Sequence, residues 1–213
     1  MKYMIGNRTF ASKTEDVSAA LDTAQIVSWS SQIDDGETAF IFAQESSFRA
    51  WARSAPSPIP QDVENTEELA RKARELEKAD NRATMLSQDL AAERALADLD
   101  GLAARLGLNR TSPELVKIAH EGVSILEPPV LHSAILCSSL GCAGSVRVVP
   151  SGIPAATLGN MNNLTSSVTG AGSVTLWENN WFGGRRTFIF TVAVCISMIP
   201  LNFDNIASSA IAV

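Results

Sequence analysis

Two hexapeptides, Asn162-Asn163-Leu164-Thr165-Ser166-Ser167 and Asp204-Asn205-Ile206-Ala207-Ser208-Ser209, stand forty-two residues apart and carry the same residue types in the same order. Their amide, carboxylate and hydroxyl oxygens, with the backbone carbonyls between them, are hard donors. A calcium ion draws its six to eight ligands, at about 2.3–2.6 Å, from such groups. The same residue types also make turns by bonding to their own backbone, with no ion involved, so an ion-binding and a purely structural reading stand side by side. Asp204 is the one carboxylate among these side chains. A calcium ion here is therefore expected to be held weakly, with a dissociation constant on the order of 10⁻⁴ M.

Other chemistry finds little support. The chain has two histidines, His120 and His132, and three cysteines, Cys137, Cys142 and Cys195. Cys–His nucleophilic chemistry needs the two within hydrogen-bond reach. His132 and Cys137 are five apart, which strand alternation places on opposite faces. No C-x-x-C pair with zinc spacing, nucleophile elbow, phosphate-binding glycine loop or H-E-x-x-H motif occurs. The expectation is a non-enzymatic protein.

Composition points the same way. Of 213 residues, 46% are hydrophobic and 19% charged, enough apolar material for a packed core. The net charge of −6 provides no basic field to gather phosphates, which argues against a nucleic-acid partner. The N-terminus is too polar for a secretory signal. The longest apolar run, Phe188 to Leu201, is about 14 residues, short of the roughly 18–20 that cross a bilayer. Neither secretion by signal peptide nor membrane insertion is expected.

The elements that must position the oxygen-bearing loops fall into three regions, an α+β chain overall. Residues 1–55 read as a small α+β unit of unassigned role. Apolar runs at Tyr3–Ile5 and Ala39–Ala43 flank a helical stretch, Glu15–Ala24, and Asp34-Asp35-Gly36 supplies turn chemistry for a hairpin with Ile26–Ser30. Residues 56–129 read as a linker, broken by Pro56, Pro58 and Pro60, followed by helices. Asn65 with Glu68 has capping-box spacing, predicting a helix that starts there and runs to Leu106, where Gly107 suits a left-handed stop.

Leu69, Leu76, Ala83, Leu90 and Ala97 recur every seven residues. That is the pattern either of a homodimerising coiled coil through helix 65–106 or of an amphipathic helix, or a bent helical pair, packed on its own domain. Glu67–Arg71 and Glu68–Lys72 are expected to pair on the outside. Leu102–Gly122 has a loose helix-turn-helix look, but Ser112-Pro113 and the sparse basic residues disfavour DNA reading. Glu127-Pro128-Pro129 breaks the chain before the last region, 130–213, whose Val, Ile, Thr, Ser and Gly content reads as all-β.

In that last region Trp177, Phe182 and Gly184 stand as aromatic, four residues, aromatic, one residue, glycine. With the two hexapeptides, this pattern resembles the Greek-key signature of the βγ-crystallin family, in particular its microbial calcium-binding type. The resemblance covers about 80 residues as two copies and implies a two-Greek-key sandwich. In it the rings pack across a folded hairpin and the bare glycine makes room. Cys137, Cys142 and Gly144 lie forty residues before Trp177, Phe182 and Gly184, so cysteines hold both aromatic places of the first copy. Side chains meant to touch there suggest a Cys137–Cys142 disulfide, which would favour an oxidising compartment. The alternative is two small buried thiols, and Cys195 reads as a core residue.

The resemblance further implies that Asn162, Asn163, Leu164 and Ser166 serve one ion motif and Asp204, Asn205, Ile206 and Ser208 the other. A hairpin carbonyl from the opposite copy completes each set, with Glu178 and Ser138 as candidates. Ser167 and Ser209 are expected to tie down the folded hairpins. The function implied is calcium binding that stabilises the fold. Two alternatives remain. One is an inhibitor- or toxin-like binder using the Thr157–Asn163 and Glu178–Gly183 loops, with Trp181 as anchor; the other is an ion-free structural domain.

Overall fold

A computed structural model describes residues 1–78, 82–109, 115, 133–192 and 194–213, without the side chains of residues 35, 76–78, 82–89, 92, 171, 191 and 192. The expected restart at Ser112-Pro113, both histidines and the Glu127–Pro129 break lie outside the described residues.

The first elements follow from local chemistry. β1 (Lys2–Ile5) and β2 (Arg8–Phe10) form a hairpin. Thr14 caps α1 (Glu15–Thr23) by accepting the Val17 N–H at 3.3 Å, with Glu15 and Asp16 over the positive end of the helix. β3 (Ile26–Ser30) and β4 (Thr38–Phe42) pair antiparallel across the Asp34–Gly36 turn, and β4 lies parallel to β1. α2 (Glu45–Ser54) follows.

The helical region starts earlier than expected. α3 spans Ile59–Lys78 and α4 spans Arg82–Leu106. α3 therefore begins six residues before Asn65, which sits in its second turn and accepts from Gln61 Nε2 at 3.0 Å. The prolines do not prevent this, because Pro60 occupies the first turn, where a missing N–H breaks no intrahelical bond. The buried stripe of α3 is Ile59, Val63, Thr66, Ala70 and Ala73, a four-three-four-three spacing that lies along one helix face. α4 packs through Ala95, Leu99 and Ala103, whereas Leu90 and Ala97 of the sevenfold register face solvent. Both helices thus bury an apolar face on their own chain. Glu68 pairs with Lys72 as expected, but Glu67 turns inward to Arg49 and Arg186 while Arg71 pairs with Glu75. Gly107, at φ +66°, stops α4, with the Leu108 N–H reaching back to Ala103 O.

The last region is two interlocked Greek keys. β5 (Ala134–Ser139), β6 (Ala143–Val149) and the start of β7 (Ser167–Asn179) belong to the first copy. The rest of β7, β8 (Gly183–Val192), β9 (Ile196–Ser197) and β10 (Ser209–Ala212) belong to the second. β7 is shared: Ser167–Gly170 pair with β5, and Ala171–Asn179 pair with β8. The third segments cross over. β9 pairs with Ser167–Val168 of the first copy, and Ala155 of the first copy bridges Ala210 on β10. Each sheet therefore contains a strand of the other copy, and Leu136, Met161, Val168, Leu176, Met198 and Phe203 fill the space between.

The N-terminal strands continue one of these sheets. β3 lies parallel to β8, with Val27 opposite Thr187 and Trp29 opposite Ile189. All five residues of β3 are buried. Val27 and Trp29 join the Greek-key core beneath α1, while Ile26 packs with Phe188, Phe190, Phe48 and the start of α3. Phe48 and Phe188 stack at 4.6 Å. α3 lies over the Trp177–Phe182 corner and α4 over the β5–β6 sheet.

Candidate functional site

Each Greek key opens with a hairpin folded back at a tight corner, and the two corners are built alike. In the second, Trp177 and Phe182 meet edge to face at 5.2 Å, both buried. Gly184, at φ +74°, has no room for a side chain, since a Cβ would lie 2.8 Å from Asn179 Nδ2 and 3.0 Å from Glu178 Oε2. Gly144 plays this part in the first corner, at φ +79°, pressed against Ser138 and Ser139. Glu178 Oε2 accepts the Arg185 N–H at 3.2 Å, and Ser138 Oγ accepts that of Ser145 at 2.9 Å. The two side chains forty residues apart do the same work.

Ser209 Oγ accepts the Phe182 N–H at 3.0 Å and donates to Asn179 O at 2.7 Å. Ser167 Oγ accepts the Cys142 N–H at 3.0 Å and donates to Ser139 O at 2.6 Å. These last serines of the hexapeptides clamp the corners, as their position in the motif implied.

The remaining motif residues interlock between the copies. The Asn163 N–H bonds Ala207 O at 2.9 Å, and the Asn205 N–H bonds Thr165 O at 3.0 Å. Asn163 and Asn205 both sit at φ +55°, a left-handed conformation that Asn tolerates best among residues with a Cβ. Ser208 Oγ then lies 3.2 Å from Asn163 Oδ1, and Ser166 Oγ 3.3 Å from Asn205 Oδ1. The side-chain contacts run between the hexapeptides: the asparagine of one copy meets the serine of the other. The Greek-key crossover brings the third segment of each copy against the partner's sheet, so the loop that follows it lands beside the partner's motif.

The hairpins join in the same crossed manner. The Ser208 N–H bonds Trp177 O at 2.8 Å beside Glu178, and the Ser166 N–H bonds Cys137 O at 2.9 Å beside Ser138. Asp204 Oδ2 accepts from Asn205 Nδ2 at 3.1 Å, while its Oδ1 is buried with no hydrogen-bond partner. Leu164 and Asn162 are exposed and Ile206 is half-buried. Among the described residues, no three His, Cys, Asp or Glu side chains gather as a metal cluster. The oxygens assembled here are amide, hydroxyl and carbonyl groups, with the carboxylate of Asp204 beside them.

The disulfide expectation is also corrected. Cys142 bonds Cys195, with Cα atoms 6.0 Å apart, and Cys137 lies buried outside that bond. The cause is again the crossover: β9 pairs with Ser167–Val168, and Ser167 holds the Cys142 corner, so Cys195, one residue before β9, arrives at the first copy's corner. Cys195 is half-buried at the edge of that cluster, not a core residue. Trp181, expected as an exposed anchor, is half-buried under α3. Its carbonyl and that of Phe182 accept from Arg74 at 3.4 and 2.6 Å. Arg74 carried no sequence signal, since nothing marks an arginine on a solvated-looking helix as a hairpin ligand.

Two Greek keys with folded hairpins, a shared strand and crossed third segments make the C-terminal region a βγ-crystallin-like domain. Solved structures similar to this chain include a βγ-crystallin from an archaeon (21% identity, covering 38% of this chain and 96% of that one, TM-score 0.33). They also include a βγ-crystallin from Ciona intestinalis (15%, 38% and 99%, TM-score 0.33) and the N-terminal domain of protein S (24%, 38% and 94%, TM-score 0.31). No family model and no curated protein sequence matches the chain.

Proposed function

We propose that residues 133–213 form a non-enzymatic calcium-binding domain, in which the ion fastens the two Greek keys to each other. The supporting observation is the pair of crossed oxygen contacts, Asn163 with Ser208 and Asn205 with Ser166, at 3.2 and 3.3 Å. Two ligands each about 2.4 Å from one ion and roughly a right angle apart are separated by about 3.4 Å. The side chains thus already stand at the spacing of neighbours in a calcium shell. The buried, unpartnered Asp204 Oδ1 fits a site that attracts a cation, because a bare buried carboxylate oxygen costs free energy until something positive faces it. Asn163, Ser208 and a Glu178-side carbonyl would serve one ion. Asn205, Asp204, Ser166 and a Ser138-side carbonyl would serve the other, with the carbonyls of Leu164 and Ile206 completing the sets. The Cys142–Cys195 bond supports a place of work where thiols are oxidised.

Calcium bound to the folded state alone stabilises it by mass action. At about 10 mM calcium and a dissociation constant near 10⁻⁴ M, the gain is about 2.7 kcal/mol per site. Calorimetric titration of calcium into chelator-stripped protein should give saturable heat, reduced in Asn163→Ala and in Asn205→Ala, with a matching rise in melting temperature. No heat and no shift up to 10 mM calcium would remove the proposal and leave an ion-free Greek-key scaffold. The inhibitor-like alternative is less supported, because α3 and Arg74 hold Trp181, the anchor it would use, and leave it the Thr157–Asn163 loop.

A further inference from the structure

The two corners are built alike but are tied differently to the loops that carry the oxygens. At the first corner Cys142 is joined to Cys195, and the Cys142 N–H is held by Ser167 Oγ at 3.0 Å. Cys195 opens the segment that runs through β9 to Asp204 and Asn205. Two backbone bonds pin that segment to the first hexapeptide: the Met198 N–H reaches Ser166 O at 2.9 Å, and the Asn205 N–H reaches Thr165 O at 3.0 Å. The Ser166 N–H bonds Cys137 O at 2.9 Å, beside Ser138. The disulfide thus joins the same two pieces of chain, one carrying Ser138 and the other Asp204 and Asn205, that meet at Ser166.

The second corner has no such bond. By the offsets of 40 and 42 residues, Phe182 stands where Cys142 does and Ile153 where Cys195 does. Its loop is held instead by the Trp181 N–H on Ala156 O at 2.9 Å and by the packing of Trp177 on Phe182. The crossed pairs Asn163–Ser208 and Asn205–Ser166, at 3.2 and 3.3 Å, therefore form one site without a covalent tie and one with it. An ion that bridges two segments binds more weakly when it must also order them, and a bond that already fixes both removes that cost from the binding step.

Resting on the calcium reading above, we propose that the Cys142–Cys195 bond positions one ion site and places it under redox control. The site of Asn205, Asp204 and Ser166 holds calcium more tightly with the bond closed than with it open, whereas the Asn163–Ser208 site is indifferent. Opening takes a dithiol reductant. One of its thiolates attacks a sulfur of the bond, Cys195 being the less buried end, and its second thiol then resolves the mixed disulfide. Two electrons and two protons pass to the protein: Cys142 and Cys195 become thiols, and the dithiol becomes a cyclic disulfide. Linkage makes the effect reciprocal, so calcium favours the closed bond by the same factor by which the closed bond favours calcium.

The test is calorimetric titration of calcium into the full chain near the usual temperature of maximum stability, about 10 °C, with and without dithiothreitol. Asn163→Ala isolates the disulfide-linked site, Asn205→Ala isolates its twin, and far-UV circular dichroism follows the fold in each state. Reduction should weaken calcium binding about fivefold or more in Asn163→Ala and less than about twofold in Asn205→Ala. Cys195→Ser should bind calcium as the reduced parent does, whether or not dithiothreitol is present. In a fixed dithiol–disulfide buffer, saturating calcium should raise the ratio of closed to open bond in Asn163→Ala by the same factor. A bond that serves the fold alone would weaken both sites equally or neither, and either result overturns the proposal while leaving calcium binding intact. Loss of the folded circular dichroism on reduction with calcium present would also overturn it, because the bond would then hold the whole domain and not one site. No calcium heat in the oxidised parent would instead remove the calcium reading and this inference with it.

Discussion

Cutting the Cys142–Cys195 bond, by reductant or as Cys195→Ser, releases a covalent tie between residues 53 apart in sequence. In the chain-entropy picture, closing a loop of that length removes about 4 kcal/mol of conformational freedom from the unfolded chain at 25 °C. Serine at position 195 adds little to this, because the residue is half-buried and not in the core. Cys142, at 1% exposure, is the poorer place to cut, since Cys142→Ser would bury a hydroxyl. For a chain of this size each kcal/mol moves the melting midpoint by about 2–4 °C, so the expected loss is about 8–16 °C. The reduced corner is still held by the bond from the Cys142 N–H to Ser167 Oγ, which makes these figures an upper range. Differential scanning calorimetry of the parent with and without reductant, against Cys195→Ser, reads the effect; the variant should not respond to reductant. Non-reducing peptide mapping should recover Cys142 linked to Cys195. A parent whose midpoint ignores reductant, or a linked peptide joining Cys137 to Cys142, would refute the reasoning from the crossed third strand.

Further outcomes follow from single contacts. Ser209→Ala removes the clamp between the Phe182 N–H and Asn179 O and should cost about 1–3 kcal/mol in denaturant unfolding, with Ser167→Ala comparable at the other corner. Asp62, on α3, accepts from Ser173 on β7, and burial pushes its carboxyl above the usual range against the opposing effect of that hydrogen bond. A raised folded value means that the folded state holds the proton more tightly than the unfolded one. The contribution to stability is thus fully present below the ordinary aspartate range and is lost as pH rises through the raised value. Asp62→Asn should therefore melt at or above the parent at pH 7, with the difference shrinking on acidification. An Asn variant clearly less stable at pH 7 would show that the charge itself is favourable there.

The parts of this fold that could be read from the chain are those written locally and twice. The two hexapeptides and the two glycine corners recur at offsets of 42 and 40, and each corner is closed by groups within a few tens of residues of one another, so the repeat carries the geometry with it. The β3–β4 hairpin was legible for the same reason, through Asp34–Gly36. What escaped depends on crossing. Whether Asn163 meets Ser166 or Ser208, and whether Cys142 meets Cys137 or Cys195, is decided by third segments changing sheets, and no residue type records that exchange. The start of α3 was hidden because prolines read equally as linker and as first turn of a helix. The sevenfold register does not trace the buried face, because that face, Ile59 to Ala73 and then Ala95 to Ala103, is built mostly from alanine and β-branched residues with Leu99 among them, while Leu90 stays in solvent. Burial of all five β3 residues erased the alternation that would have announced a strand with a second neighbour.

The parallel seam between β3 and β8 has a consequence for synthesis. Val27 and Thr187 face each other across 160 residues, so an emerging chain that grows at about 5–20 residues per second makes β3 wait roughly 8–32 s for its neighbour. During that interval β4 satisfies one side of β3, while the other side offers its unpaired amides and carbonyls together with Ile26, Val27 and Trp29. An open apolar strand edge of this kind recruits other strands readily. The nascent N-terminal unit is thus the part of this protein with most need of a chaperone, and expressing residues 1–55 alone should yield aggregate where the full chain yields soluble protein.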